Sequence, residues 1–232
     1  MKPLSKNTKS LWAKKSYRED PRLVWLPLYV HLRDTAHVIE YLFSEWLSDG
    51  VKNTLCSSCV EDRDKLKLVR FLGASHDVGK GIALFQSRVF QDNGSSIDKL
   101  LTQKLIDNQV PIQRYKEFTH REDTAHSIAS YHLILQYSLE KSNSDVEVMK
   151  RVSKIASILS SHHGRPPNNT RAFRDQIKIN ATNFITNASF QEDWKEIQYE
   201  LIEYALSISG YESLNELPDI SEADQVILTG LL

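Results

Sequence analysis

Apolar residues recur every three or four positions along most of this chain, and this spacing is typical of amphipathic α-helices. In the segment 62–76, for example, Leu66, Val69 and Leu72 share one face. No alternating run is long enough for a central β-strand. The pattern therefore predicts an all-α fold, with helices over residues 35–47, 62–76, 82–90, 97–107, 122–140, 146–163, 191–208 and from 221 onward.

The predicted helix 35–47 has an apolar face formed by Val38, Ile39, Leu42 and Trp46. We expect these four side chains to point into the core. Pro27 can open an earlier helical turn, because proline is tolerated in the first turn of a helix.

Two histidines lie at inward-facing ends of predicted helices. His76 follows Leu72 by four residues and Val69 by seven, so it continues the apolar stripe. His162 follows Ile155 by seven residues and so also continues an apolar stripe. A Gly/Pro-rich segment that ends the helix comes directly after it. Buried imidazoles need polar partners, so two such helix ends can converge on one cation.

The adjacent pair His76-Asp77, followed by a Gly-Lys turn, indicates a site for a divalent metal ion. Imidazole and carboxylate are the usual ligands of such ions where no thiolate takes part. A lone inward histidine is more often a hydrogen-bonded core residue, but the sequence HDVGK favours a ligand. Further ligands are available from His31, His126 and the doublet His162-His163.

The remaining histidines fit other roles. His37 falls off the inner face of its helix and is predicted to lie at the surface. His132 has no second ligand nearby and is predicted to be a core residue. His120 and His126 compete for one place in the site, and His126 is preferred because it opens a buried apolar run.

The charge balance excludes a strongly basic nucleic-acid-binding protein. The 232 residues carry 29 Lys plus Arg against 30 Asp plus Glu. Residues 1–30 carry seven bases and two acids, whereas residues 188–225 carry ten acids and a single lysine. A polyanion must therefore be bound by a local group of basic residues, because the protein as a whole has almost no net charge.

The two cysteines, Cys56 and Cys59, argue against a disulfide framework, and a linker between helices is predicted there. The sequence has no apolar run of about 18 residues and no signal-peptide pattern at its start. We therefore expect a single cytoplasmic domain with no membrane association.

Other phosphate and nucleophile motifs do not fit. Gly73 and Gly79 are too far apart for a phosphate loop, and no Ser or Thr follows Lys80. The sequence has no G-x-S-x-G element, and neither cysteine has a suitable histidine context. Metal-assisted hydrolysis is the chemistry that the residues favour.

Several segments together resemble the HD superfamily of metal-dependent phosphohydrolases. They are LWAKKS, LPLYVHLRDTAHV, LGASHDVGKGIALFQ, HSIAS and SSHHGRPP. More narrowly, they resemble the N-terminal HD nuclease domain of the CRISPR-associated nuclease-helicase of type I systems. The pair HD alone is a weak motif, but HDVGK with Phe85-Gln86 and a downstream His-His-Gly-Arg is much more specific.

The resemblance implies one or two divalent transition-metal ions, of Mn, Ni, Co or Fe. It makes His31, His76 and Asp77 ligands of a first ion, with Asp77 able to bridge to a second. The second ion would be served mainly by His126, His162 and His163. Lys80 would neutralise transition-state charge, and Arg165 would hold a neighbouring phosphate.

In one place the sequence departs from the family. A final metal-binding aspartate is expected in a sequence resembling ADWIAS, directly after a segment like QVILTGLL, and this sequence ends at Leu232. Asp224 lies upstream of the matching position. We therefore expect a first metal site that is one carboxylate short.

The resemblance also implies a function and its partners. The substrate would be single-stranded DNA, delivered by an RNA-guided CRISPR surveillance complex, and the family's helicase domain is absent from this sequence. Two alternatives stay open: an HD phosphohydrolase acting on nucleotides or cyclic nucleotides, and a catalytically impaired docking module.

Overall fold

The computed structural model describes residues 3–16, 24–56, 58–59, 61–121, 124–143, 145–161 and 181–232. Helices form nearly all of the regular structure in those ranges, so the predicted all-α class is confirmed. In chain order the α-helices are α1 (Lys6–Ser10), α2 (Leu28–Tyr41), α3 (Asp49–Thr54), α4 (Asp62–Ser75), α5 (Ala83–Gln86), α6 (Ser96–Asp107), α7 (His126–Lys141), α8 (Val146–Ser160), α9 (Gln191–Ser209) and α10 (Glu222–Leu231).

Short irregular helices join several of these elements. The chain continues from α2 through a π-helical turn, Leu42–Trp46. Single 3₁₀ turns span Val78–Lys80, Ser87–Val89, Tyr115–Glu117, Ala181–Phe184, Ala188–Phe190 and Leu214–Glu216.

A small antiparallel sheet is present besides the helices. It pairs β1 (Trp12–Lys15) with β2 (Trp25–Pro27), with an irregularity in register between Trp12 and Lys14. The backbone N–H of Leu28 donates to the carbonyl of Leu11 at 2.8 Å. This ribbon therefore leads directly into the start of α2.

The first long helix, α2, begins seven residues earlier than the sequence predicted. Its buried stripe is formed by Leu28, His31, Leu32, Ala36 and Ile39. The predicted inner face is wrong in part, because Val38 is 57% exposed and Trp46 is 74% exposed. Because His31 is polar, the apolar pattern in the sequence is interrupted at this position and the start of the helix was not predicted. The buried stripe of the helix includes this histidine, which therefore lies in the core.

The core is built from pairs of packed helices. Helix α2 lies against α4, α4 also packs on α9, and α7 packs along α8. Trp194 of α9 and Phe71 of α4 are among the largest fully buried side chains. The N-terminal end of α7 also packs against the 3₁₀ turn that follows α4. These contacts bring residues distant in sequence to one end of α4.

The linker between α3 and α4 differs from its prediction. Cys56 and Cys59 are joined by a disulfide there, where the sequence predicted a plain linker. Cys56 has a positive φ of 53°, which turns the chain so that the two Cα atoms lie 5.4 Å apart. That separation lies within the range that a disulfide needs.

Among the helices of the described ranges, none combines the length and the apolar character that a membrane crossing requires.

Candidate metal centre

The run HDVGK folds as a tight turn at the end of α4. Helix α4 ends at Ser75, and His76 is its C-terminal capping residue. Asp77 then leads into the 3₁₀ turn Val78–Lys80. His76, Asp77 and Lys80 are all buried, with 8%, 3% and 7% of their surface exposed. The turn therefore holds two potential metal ligands and a lysine inside the protein.

The carboxylate of Asp77 is the centre of the site. Its Oδ2 lies 2.7 Å from Nε2 of His31, 3.1 Å from Nε2 of His76 and 2.7 Å from Nζ of Lys80. Its Oδ1 lies 3.2 Å from Nε2 of His126. Helices α2, α4 and α7 and the 3₁₀ turn thus each contribute a side chain to one carboxylate.

The ring of His76 faces a hydrogen-bond acceptor on each side. Nδ1 lies 2.8 Å from the carbonyl oxygen of Gly73, which can only accept, while Nε2 faces Asp77. This arrangement orients Nε2 towards the carboxylate in the manner of a ligand held by an outer hydrogen bond.

The charge state of the cluster also suits a cation. Burial raises the pKa of the Asp77 carboxyl, but hydrogen bonds from His126, His31 and His76 outweigh burial and hold this pKa well below its usual range. Burial lowers the pKa of His31, against the opposing effect of its hydrogen bond to Asp77. An ionised carboxylate beside a neutral imidazole is the donor set that divalent transition metals prefer.

Three residues meet the geometric requirement for a metal ion most directly. The ligand atoms of His31, His76 and Asp77 all lie within 4.8 Å of one another, and all three residues are buried. The residues present therefore fit a divalent cation. His126 lies on the other oxygen of the same carboxylate.

Ser130 connects the turn to α7. Its Oγ accepts a hydrogen bond from the backbone N–H of Gly79 at 2.9 Å and lies 2.8 Å from the carbonyl oxygen of His76, to which it donates. A Cβ on Gly79 would lie 1.9 Å from the carbonyl oxygen of His126. Only glycine permits this approach, and the approach places His126 beside Asp77.

Gln86 fixes the turn from the other side. Its Nε2 donates to the carbonyls of Trp12 and Lys80 at 3.0 and 2.8 Å, and its Oε1 accepts from the backbone N–H of Trp12 at 3.1 Å. Gln86 is fully buried. The side chain therefore ties β1 to the backbone of Lys80.

We expect the Gln86→Ala variant to lose about 2–4 kcal/mol of unfolding free energy, because buried backbone groups of Trp12 and Lys80 lose their partners. Urea unfolding followed by circular dichroism measures this loss. The matched control is Gln103→Ala, an exposed glutamine on α6, with an expected change within about 0.5 kcal/mol. Equal stabilities of the two variants would contradict the role given to Gln86.

The structure separates the other histidines from the cluster. His37 is exposed, as predicted, and His120 is exposed with a positive φ of 51°. His132 is half-buried on α7, and its ring centroid lies 4.7 Å from that of Phe184. The predicted site residues His162, His163 and Arg165 lie outside the described residues.

Asp224 has a structural role. Its Oδ2 accepts hydrogen bonds from the backbone N–H and the hydroxyl of Ser221 at 2.9 and 2.8 Å. The two residues form a capping box at the start of α10.

The environment of His132 predicts a pH dependence of stability. Burial lowers its pKa to about 4, against a hydrogen bond with Gln136 that raises it. The unfolded chain therefore binds a proton at higher pH than the folded one, and stability is lost as the pH falls from about 6.5 towards 4. Between about pH 7 and 5 we expect the native chain to lose about 2 kcal/mol more than His132→Phe. Parallel urea titrations measure the difference, and identical pH slopes would contradict it.

Sequence reasoning missed two supports of the site. Ser130 follows His126 by four residues, so the spacing in HSIAS places both on one helical face. That spacing was a usable signal. The contact between Gln86 and Trp12 joins residues 74 positions apart and has no local signal.

Sequence comparisons relate this chain to a known family. The sequence profile of the family described as "Cas3, HD domain" matches residues 12–232. The chain is 32% identical over 230 residues to the CRISPR-associated nuclease/helicase Cas3 of Streptococcus thermophilus. That alignment covers 95% of this chain and 23% of the relative, so the chain spans about a quarter of the relative's length.

Solved structures share the fold. The crystal structure of a CRISPR-associated protein aligns over 99% of this chain and 23% of its own, with a TM-score of 0.71 and 20% identity. T. fusca Cas3 aligns over 96% of this chain and 21% of its own, with a TM-score of 0.63 and 20% identity. A chain of a CRISPR RNA-guided surveillance complex, pre-nicking, covers 96% and 23%, with a TM-score of 0.62 and 20% identity. Since the family profile extends over nearly the whole sequence, this chain belongs to the Cas3 HD-domain family.

Proposed function

We propose that this chain is the metal-dependent nuclease part of a CRISPR nuclease-helicase and that it cleaves single-stranded DNA. The observation that carries the proposal is the buried carboxylate of Asp77, contacted by three imidazoles and one ammonium. A phosphodiesterase of this kind needs a clustered set of ligands and a cation for the substrate charge. The family membership and the name of the Streptococcus thermophilus relative support the same activity.

His31, His76 and Asp77 would hold the first ion. Their ligand atoms already lie close together, and Gly73 orients the ring of His76. Asp77 and His126, whose Nε2 lies 3.2 Å from Asp77 Oδ1, would help to hold a second ion. We assign His162 and His163 to the second ion from the family resemblance.

Divalent ions bound there would supply Lewis acidity for hydrolysis of a phosphodiester. A ligand set of imidazoles with one carboxylate suits Mn, Ni, Co or Fe better than Mg, which prefers oxygen ligands. The buried position of Asp77, 3% exposed, would exclude most competing water from the carboxylate.

Lys80 would act on the substrate. Its ammonium lies 2.7 Å from Asp77 Oδ2 and 5.7 Å from the centre of the Phe85 ring. A cation fixed beside the ligands can stabilise the negative charge that grows on the scissile phosphate in the transition state. Arg165 would hold a neighbouring phosphate by a bidentate contact.

The names of two relatives support a proposal about the partners of this chain. The Streptococcus thermophilus relative is named a nuclease/helicase, and one structure with this fold comes from an RNA-guided surveillance complex. We propose that such a complex and a helicase deliver the displaced strand to this domain. The formal net charge of -1 fits a domain to which partners deliver DNA.

Metal removal tests the proposed function. We expect protein treated with EDTA and dialysed to lose cleavage of single-stranded DNA, and added Mn²⁺, Ni²⁺ or Co²⁺ to restore it. Duplex DNA and a cyclic mononucleotide serve as parallel substrates. Equal cleavage with and without metal, or hydrolysis confined to the mononucleotide, would contradict the proposal.

A further inference from the structure

Arg88 packs on the same aromatic ring, Phe85, as Lys80 of the site, but it has no part in the cluster around Asp77. It occupies the 3₁₀ turn Ser87–Val89, which follows α5. Its side chain is half-buried, and the guanidinium carbon lies 4.9 Å from the centre of the Phe85 ring. Phe85 is 5% exposed, so the arginine rests on a fixed aromatic surface.

The guanidinium of Arg88 has no counterion within the described ranges. Its Nε is buried and makes no hydrogen bond there. Among the arginines of the described ranges, Arg33, Arg63, Arg70 and Arg114 have an acidic partner, and Arg121 and Arg151 donate to backbone carbonyls. A partly desolvated cation with unused donors is suited to an anionic ligand, above all a phosphate that can take a bidentate contact.

The Phe85 ring connects Arg88 to the metal centre. The ammonium of Lys80 lies 5.7 Å from the centre of this ring, and the His126 ring centroid lies 5.9 Å from it. Taken with the 4.9 Å to Arg88, this places the guanidinium carbon within about 11 Å of the Lys80 ammonium. At about 3.4 Å per nucleotide of stacked strand, the separation is at most about three nucleotides.

A second group of cations and aromatic rings lies at Phe90, two residues after Arg88 in the sequence. The backbone N–H of Tyr115 donates to the carbonyl of Phe90 at 3.1 Å, which joins the two loops. Arg114 lies 6.0 Å from the Phe90 ring, and Arg121 lies 5.2 Å from the Tyr115 ring. These four residues line a cavity of about 270 Å³, whose Asp92 accepts hydrogen bonds from Arg114 and Lys116 at 2.5 and 2.7 Å. Alternating cations and aromatic rings suit a single strand, whose phosphates and bases need both.

We propose that Arg88 is a substrate-positioning residue that binds a phosphate of the DNA strand within about three nucleotides of the one at the Asp77 cluster. The strand then continues towards the cavity between Phe90 and Tyr115. This inference rests on the proposed nuclease function and adds to it the direction in which the strand leaves the metal centre.

Binding of single-stranded DNA without cleavage tests the role of Arg88. The variants are Arg88→Gln, which removes the charge, and Arg88→Lys, which keeps it. Arg63→Gln, at an arginine whose side chain is 74% exposed, is the matched control. Affinity for a fluorescent oligothymidylate is measured by anisotropy in EDTA between about 50 and 200 mM KCl.

We expect Arg88→Gln to weaken binding about 3- to 10-fold and to reduce the salt slope by about 0.7, the value for one lost phosphate contact on a single strand. Arg88→Lys keeps the positive charge, so the dependence of affinity on salt should be that of the native chain. A purely structural role of Arg88 would not restore this salt dependence. The control should bind like the native chain. Loss of affinity with an unchanged salt slope, or an equal loss in the control, would overturn the proposal.

Cleavage kinetics separate this inference from the proposed function. With metal added, Arg88→Gln should raise KM about 3- to 10-fold and leave kcat within about twofold, because the contact holds substrate and transition state alike. If the native chain fails to cut single-stranded DNA, the proposed function is wrong. If it cuts and Arg88→Gln has a native KM and native binding, only the role of Arg88 is wrong.

Discussion

We expect the Asp77→Asn variant to lose metal-dependent cleavage of single-stranded DNA by more than about 100-fold while it keeps its helical fold. Loss of an outer partner of a metal ligand typically costs about 10- to 100-fold, and Asp77 lies at the centre of the ligand set itself. An amide cannot supply the negative charge that faces His31, His76, His126 and Lys80. The loss should therefore be catalytic, because the amide has nearly the same size as the carboxylate.

Cleavage of a labelled oligonucleotide and far-UV circular dichroism together measure this effect. The matched control is Asp62→Asn, since Asp62 is an exposed carboxylate at the other end of α4. The control should retain native cleavage. A folded Asp77→Asn protein that cuts at the native rate would show that the carboxylate is dispensable.

The second large effect is expected at Gly79. A Cβ at this position would lie 1.9 Å from the carbonyl oxygen of His126 and 2.4 Å from the backbone N of Ser130. Both contacts are with backbone, so Gly79→Ala must push α7 away from the turn. We expect it to lower the unfolding free energy by about 3 kcal/mol or more and to move His126 away from Asp77.

Urea unfolding and cleavage of single-stranded DNA both report on this change. Gly50→Ala is the matched control, because the nearest atom to its added Cβ is Ser48 Oγ at 4.0 Å. In α3 this substitution should leave stability unchanged or raise it by up to about 1 kcal/mol. Native stability and activity in Gly79→Ala would contradict the close packing of α7 on the turn.

Helices with a continuous apolar period were predictable from the sequence. The predicted helix 62–76 corresponds to α4, Asp62–Ser75, and the predicted helix 97–107 corresponds to α6, Ser96–Asp107. Both begin with strong local signals: acids in the first turn of α4 and a capping box at Ser95 and Asp98 for α6. Because these side chains lie within the first turn, the nearby sequence is sufficient to predict where both helices begin.

The phase of α2 was not predictable in the same way. A polar His31 occupies a buried position between Leu28 and Leu32, which interrupts the apolar pattern. The pattern after Thr35 alone then selects a face that includes the exposed Val38 and Trp46. The predicted helix therefore begins later than α2 does, because a polar candidate ligand occupies a core position in the first turns.

The candidate site was predictable as a set of residues, but its support was not. The sequence indicated His31, His76, Asp77, Lys80 and His126, and the structure brings these five together. The contact of Gly79 with α7 joins segments 51 residues apart through Ser130. Such a contact depends on tertiary packing, and a single sequence carries no local pattern for it.

A crystal structure of the chain grown with Mn²⁺, with anomalous scattering recorded at the Mn edge, tests the metal centre directly. We expect an anomalous peak about 2.0–2.3 Å from Nε2 of His31, Nε2 of His76 and a carboxylate oxygen of Asp77. Soaking with EDTA should remove that peak. A crystal with full Mn²⁺ density elsewhere and none among these three residues would contradict the assignment of the metal centre.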